Sequence, residues 1–362
     1  RPRMKDASST DVVVHRGAAL SSFWMCGDLY RADPRTLAPL GKETFAGRFP
    51  AEGVSAHPKV DPRTGELLFF NYGTEAPYMH YGVVDESGAL AHYVDVPLPG
   101  PRLPHDMAFT EHYAIVNDCP MFWDPDALAT GHYATRFFPE LPTRFGVIPR
   151  RGGTDEIRWF EAAPTFVLHW INAYEDGDEI VLDGYFEEDP SPAPRPGASF
   201  QEPLFRYLDL HTMKSHPHRW RFDLATGETR EERLSERILE FGMINGRHAG
   251  LRHRYSYDAL PARGWFGFEG FAKHDLETGG LEEVVLPEGV YASETVMAPR
   301  DGSRGEDDGY LLTFTMDLAE DRSQCLVYDA AQPAAGPLAR ITLPERICSG
   351  THAVWAPADA LA

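Results

Sequence analysis

The apolar residues of this chain come in short runs, rich in β-branched and aromatic types, cut by polar turns. "LLFFNYG" (67–73), "HYGVVD" (80–85), "EIVLDGYF" (179–186), "GYLLTFTM" (309–316) and "QCLVYDA" (324–330) each read as a strand. One turn chemistry recurs between such runs: "DPRTGEL" (61–67), "DLATGET" (223–229), "DLETGGL" (275–281) and a looser "DESGAL" (85–90). An Asp followed by Thr-Gly or Ser-Gly suits a type I turn closed by a left-handed glycine, which joins antiparallel strands. "PHDMAFTEHYAIVND" (104–118) reads the same way, as two strands around a turn at Thr110 and Glu111.

Helical periodicity is scarce. Its best candidate is "REERLSERILEF" (230–241), apolar at Leu234, Ile238 and Leu239, with a short strand as the alternative. "EEDPSPAPRPGASFQEPLFR" (187–206) is proline-rich and reads as a surface loop. Many hairpins without a helical layer predict an all-β fold, either a propeller or a large barrel. The histidines described below favour the propeller, as a single domain over 1–362.

Composition narrows the function more than the fold. The net charge is −21 and no block of Lys or Arg occurs, which argues against nucleic acid as a partner. No apolar stretch approaches the roughly 18 residues of a spanning helix. Cys26, Cys119, Cys325 and Cys348 form no CxxC pair and read as small core residues of a reducing compartment, so a cytoplasmic setting is expected.

Aligning the hairpins by their turns places a histidine at the start of a strand four times. These are His57 in "AHPKVDPRTGELLFF", His105 in "PHDMAFTEHYAIV", His169 in "LHWINAYEDGDEIVLDGY" and His352 in "GTHAVWAP". In a propeller the innermost strands converge on one axis, so equivalent strand starts from different blades meet around a point. Four neutral imidazoles there would hold a borderline divalent metal such as iron, copper, nickel or zinc. Any one of fifteen histidines is more often exposed or hydrogen-bonded for structure. Repetition of position is what singles out these four.

The surroundings of the four histidines carry a specific resemblance. "SAHPKVDPRTGELLFF", "LPHDMAFTEHYAIV", "LHWINAYEDGDEIVLDG", "EFGMINGRHAG", "SETVMAPRDG" and "LPERICSGTHAVW" together resemble the carotenoid cleavage oxygenase family. The resemblance implies a seven-bladed propeller with a loop and short-helix cap over a substrate cavity. It implies a non-haem Fe(II) on His57, His105, His169 and His352, with Glu240 orienting His169 and Glu294 orienting His352. The family carries a third such glutamate in a stretch similar to "SSFWMCGDLYRADPRTL", where this chain has Met25. In the stilbene-cleaving branch a lysine in that neighbourhood meets the substrate's phenol, so Met25 is also a candidate substrate contact. Relatives extend further at the N-terminus, so a preceding segment is expected.

The wording of "YMHYGVVDESGALAHYVDVPLPGPRLPHDMAFTEHYAIVND" and "LFFNYG" is most similar to the bacterial lignostilbene-cleaving branch. That implies scission of the central C=C bond of a 4-hydroxystilbene with O2 to two aromatic aldehydes, in a homodimer. Phe70, Tyr72, Phe268 and Trp170 are candidate cavity walls, with ordinary core as the alternative reading. The rivals are an apocarotenoid oxygenase, a calcium- or zinc-dependent propeller hydrolase, and a non-catalytic interaction propeller. A four-histidine ring argues against the hydrolase, because calcium prefers oxygen ligands and hydrolytic zinc sites favour mixed sets.

Overall fold

The computed structural model describes residues 7–193, 209–348 and 350–361. Most of its strands form six antiparallel four-stranded blades, taken up in chain order, with Met121–Trp123 and Thr135–Phe137 paired as a separate two-stranded sheet. Blade 1 is Val12–His15, Ala18–Ser21, Tyr30–Ala32 and Pro39–Lys42, and blade 2 is Lys59–Val60, Leu67–Tyr72, Met79–Val84 and Leu90–Asp95. Blade 3 is Ala108–Phe109, Tyr113–Asp118, Thr143–Pro149 and Arg158–Ala162. Blade 4 is Trp170–Asp176, Glu179–Glu187, Ser215–Asp223 and Thr229–Arg233. Blade 5 (Glu240–Met243, Tyr255–Pro261, Phe268–Asp275, Gly280–Val285) is bridged to blade 6 (Val296–Pro299, Gly309–Asp317, Arg322–Asp329, Ala339–Thr342) by Val290–Ala292.

The hydrophobic core lies between successive blades and arranges them in a ring. Leu20, Phe45, Leu67 and Phe69 join blades 1 and 2, while Leu68, Tyr81, Val116 and Ile148 join blades 2 and 3. Ile115, Phe145, Leu182 and Trp220 join blades 3 and 4, and Ile171, Tyr185, Leu260 and Ala272 join blades 4 and 5. Tyr257, Phe271, Leu311 and Tyr328 complete the series between blades 5 and 6. The C-terminal segment then bridges the two ends: Glu294 N–H donates to Thr351 O at 3.1 Å, and Gly17 N–H to Ala360 O at 3.2 Å. The described residues thus form six blades of a propeller of the seven-bladed kind, and residues 352–360, which line the central cavity, follow blade 6 in the seventh place.

The recurrent turns form as their sequence predicts. Gly65, Gly88, Gly227 and Gly279 have φ of 69°, 86°, 83° and 73°. Each donates its N–H to the carbonyl of the leading Asp61, Asp85, Asp223 or Asp275 at 2.8–2.9 Å. The segment 230–241 is not helical. Residues 229–233 are the outer strand of blade 4, with Glu231 accepting from Ala163 N–H and Arg233 paired to Glu188, and Glu240 opens blade 5. Cross-strand pairing thus overrides a weak helical spacing. Of the proline-rich stretch, Glu187 ends a strand and residues 194–206 lie outside the described residues. Short helices occur at Pro125–Ala129 and Leu210–Met213. Among the described residues no helix is long and apolar enough to cross a membrane, and no disulfide joins the cysteines.

Candidate metal centre

The first strand of each blade borders one cavity of about 970 Å³, at whose end polar side chains gather. They stand at or just before the heads of these inner strands. Asp11 precedes Val12–His15, His57 precedes Lys59–Val60, His105 precedes Ala108–Phe109, and His169 precedes Trp170–Asp176. Glu240 is the first residue of its strand, and Glu294 precedes Val296–Pro299. His352 holds the seventh place, but it does not open a strand as the sequence suggested. Residues 350–357 have no regular structure, because Ala353 N–H donates to the Glu294 carboxylate (2.7 Å) instead of to a neighbouring strand.

The four histidines come together. One ligand-capable atom from each lies within 4.8 Å of the others. His57 Nε2 and His105 Nε2 are 3.0 Å apart. Ring centroids of His57 lie 4.7, 5.1 and 4.7 Å from those of His105, His169 and His352, with the rings near perpendicular. His57, His105 and His169 are buried, and the His352 side chain is only 9% exposed.

Three of the four rings hand their outer nitrogen to a carboxylate. His169 Nδ1 donates to Glu240 Oε2 at 2.7 Å, and His352 Nδ1 to Glu294 Oε1 at 3.3 Å. His57 Nδ1 donates to Asp11 Oδ2 at 2.8 Å. A carboxylate can only accept, so each contact puts the ring proton on Nδ1 and leaves the Nε2 lone pair facing inward. His105 differs: its Nδ1 is buried without a hydrogen-bond partner among the described residues. Trp24 packs edge-on against that ring instead.

Burial holds the imidazoles of His57, His105 and His169 well below the ordinary histidine range. For His352 burial acts in the same direction, but Glu294, with Asp11 and Asp106 behind it, outweighs it and raises the pKa. Burial also pushes the carboxyls of Asp11 and Glu240 upward. A positive charge at the centre of the ring would relieve that cost. Nearby, Lys59 Nζ pairs with Asp106 Oδ1 at 2.7 Å, and Asp106 Oδ2 accepts from Trp170 N–H at 3.0 Å, tying blade 3 to blade 4.

The donor set fits a transition-metal ion. His169 Nε2 is buried and without a partner among the described residues. Metal–imidazole bonds are about 2.0–2.1 Å, so opposite ligands on one ion sit about 4.2 Å apart. Donors within 4.8 Å of one another need only a small contraction to share one ion.

Met25 is not among the residues that line the cavity; it packs beside the core around Leu68 and Phe70, 3.7 Å from the Tyr72 hydroxyl. Of the candidate walls, Trp170 borders the cavity, while Phe70 and Tyr72 belong to the core between blades 2 and 3 and Phe268 to that between blades 5 and 6. Neither short helix contributes to the lining. Three residues escaped sequence reasoning: Asp11, Trp24 and Phe241. Phe241 has a left-handed backbone (φ 54°) at a bulge and lays its ring 4.4 Å from His169 and 5.0 Å from His352. Asp11 carried a usable signal, since "DVVV" places it before an inner strand much as "HPKV" places His57.

Residues 1–357 match the model of the family described as retinal pigment epithelial membrane protein. The chain is 34% identical over 323 residues to a carotenoid 9,10(9',10')-cleavage dioxygenase of Crocus sativus, covering 84% of this chain and 58% of that protein. It is 30% identical over 370 residues to an isoeugenol monooxygenase of Pseudomonas nitroreducens, covering 98% and 76%. The crystal structure of a Pseudomonas brassicacearum lignostilbene dioxygenase superposes with a TM-score of 0.85 at 27% identity, covering 98% of this chain and 76% of that one. The chain therefore spans somewhat under two thirds of the length of the Crocus protein.

Proposed function

The chain belongs to the family of the retinal pigment epithelial membrane protein and the carotenoid cleavage oxygenases, and we propose that it is a non-haem iron oxygenase cleaving a C=C bond conjugated to a phenol. The substrate class is a 4-hydroxystilbene, split with O2 into two aromatic aldehydes. The observation that carries this reading is the donor set of four imidazoles, three of them buried, joined by no carboxylate or thiolate among the described residues. Such a set would suit Fe(II) among the metals that prefer imidazole, and four protein ligands would leave coordination positions for small molecules. When bound, that metal supplies the redox chemistry with O2.

The chain's own residues hold and orient. Glu240, Glu294 and Asp11 keep three imidazoles in the tautomer that presents Nε2. Phe241 and Trp24 place aromatic surface against the rings and exclude water on those sides. A rigid alkene held beside the metal gains from fixed orientation, which is the main contribution a scaffold makes here. The stilbene reading draws support from the lignostilbene dioxygenase, whose structure this chain follows over nearly its whole length. The carotenoid-cleaving relative is as similar in sequence, so an apocarotenoid is the second reading. The reading includes a homodimer in the cytoplasm.

The test loads metal-free protein with Fe(II) under nitrogen, then admits O2 with a 4-hydroxystilbene, its 4-methoxy analogue or an apocarotenal. Two aldehydes from the hydroxystilbene and little from the methoxy compound support the proposal. Cleavage of the apocarotenal alone replaces it with the second reading. Failure to bind one Fe(II) per chain overturns the metal assignment.

A further inference from the structure

We propose that Asp11 is a positioning residue for the metal centre, serving His57, so that His105 is the one histidine held without a carboxylate. This rests on the reading of the four histidines as ligands.

Inner-strand heads follow the ring in chain order: Asp11, His57, His105, His169, Glu240, Glu294, His352. Each carboxylate is next to a histidine it serves: Asp11 to His57, Glu240 to His169, Glu294 to His352. His105 alone has a histidine on both sides. Its orphaned Nδ1 is therefore a consequence of order around the ring, not of local disorder. The Met25 thioether meets the Tyr72 hydroxyl, not a histidine.

The Asp11 site is built for the task. Oδ1 accepts the Val12 N–H at 2.7 Å, which fixes the carboxylate plane and leaves Oδ2 for His57 Nδ1 at 2.8 Å. The backbone is held as well: Ser22 N–H donates to Asp11 O at 3.0 Å, and the Ser22 hydroxyl hydrogen-bonds to Ala56 O, beside His57. The Asp11 side chain is 14% exposed, so its pair with His57 is shielded from competing water. A plain strand-capping role would need only Oδ1; the second oxygen is aimed at the ligand.

The experiment titrates metal-free protein with Co(II) chloride anaerobically and reads the visible ligand-field bands. The variants are Asp11→Asn, Asp11→Glu, His57→Ala and the double variant Asp11→Asn/His57→Ala, with Glu240→Gln as a reference. Asp11→Asn is expected to weaken Co(II) binding about 10–100-fold, the usual loss for a partner behind a ligand. It should also shift the bands, and Asp11→Glu should recover most of the affinity. In the His57→Ala background Asp11→Asn should cost nothing further, because Asp11 acts through His57. Additive losses in both backgrounds would make Asp11 a structural residue and overturn the proposal. So would unchanged affinity and spectrum in Asp11→Asn while Glu240→Gln is impaired. Should Asp11→Asn not fold, Asp11→Glu alone decides: native affinity supports the assignment, and loss of binding with an unchanged melting temperature opposes it. Absence of Co(II) binding by the parent protein would instead sink the ligand reading itself.

Discussion

The indole of Trp24 stands edge-on to the imidazole of His105, with centroids 4.3 Å apart and planes at 80°. Its Nε1–H donates to Pro104 O at 3.0 Å, so the same side chain also holds the peptide just before the histidine. This is the support His105 has in place of a carboxylate. Trp24→Phe keeps the ring contact and loses the hydrogen bond, whereas Trp24→Ala loses both. Co(II) affinity is expected to fall slightly in the first and by roughly tenfold or more in the second. Equal affinity in all three proteins would show that His105 needs no support from Trp24.

Gly184 is set by its neighbour across the pair of strands. A Cβ there would lie 2.5 Å from the Trp170 ring and 3.1 Å from His169 O. Gly184→Ala should lower stability by about 1–3 kcal/mol, as overpacking does. It should also weaken metal binding, because the backbone it displaces carries His169. Gly73→Ala, where nothing lies within 4 Å, should stay within about 0.5 kcal/mol. Denaturant melts with and without Co(II) separate the two effects.

Leu37 occupies a left-handed turn position, with φ 59° and its N–H donated to Asp33 O at 2.8 Å. Equivalent positions in the turns led by Asp61, Asp223 and Asp275 are glycines, and Leu37 is 78% exposed, so little packing offsets the strain. Leu37→Gly is expected to stabilise the protein by up to about 1 kcal/mol. A lower melting temperature would mean that its side chain is covered in solution.

Glu187 is buried with neither carboxyl oxygen hydrogen-bonded among the described residues, and burial raises its pKa well above the model-compound value of 4.5. The folded state therefore keeps a proton that the unfolded chain releases. Stability tied to this group is complete below about pH 4.5 and is lost as pH rises towards its folded pKa. Glu187→Gln removes the titration. Its melting temperature relative to the parent should improve steadily from pH 4.5 upward, and a flat difference across that range would show Glu187 ionised in the fold.

Much of the fold was legible because its signals are local. The leading Asp and closing Gly of the turns at 61–65, 223–227 and 275–279 are determined within five residues, and the structure repeats them with one geometry. The segment 230–241 was less legible. Its apolar spacing fits a helix, but strand Ser215–Asp223 offers it a ladder that no local count can see.

The histidines were legible for a different reason: His57, His105 and His169 each precede a similar hairpin, so position along the chain stands in for position around the axis, whereas His352 precedes no strand. Sequence by itself determined which residue types stand at the heads of the inner strands. It could not say which head meets which. Whether Asp11 serves His57 or nothing depends on how blade 1 packs against blade 2, and His105 lacks a carboxylate because its neighbours on both sides are histidines. Hydrogen bonds reach only about 3 Å, and a pair such as His169 and Glu240, on different blades of the chain, comes within that reach only when neighbouring blades pack together.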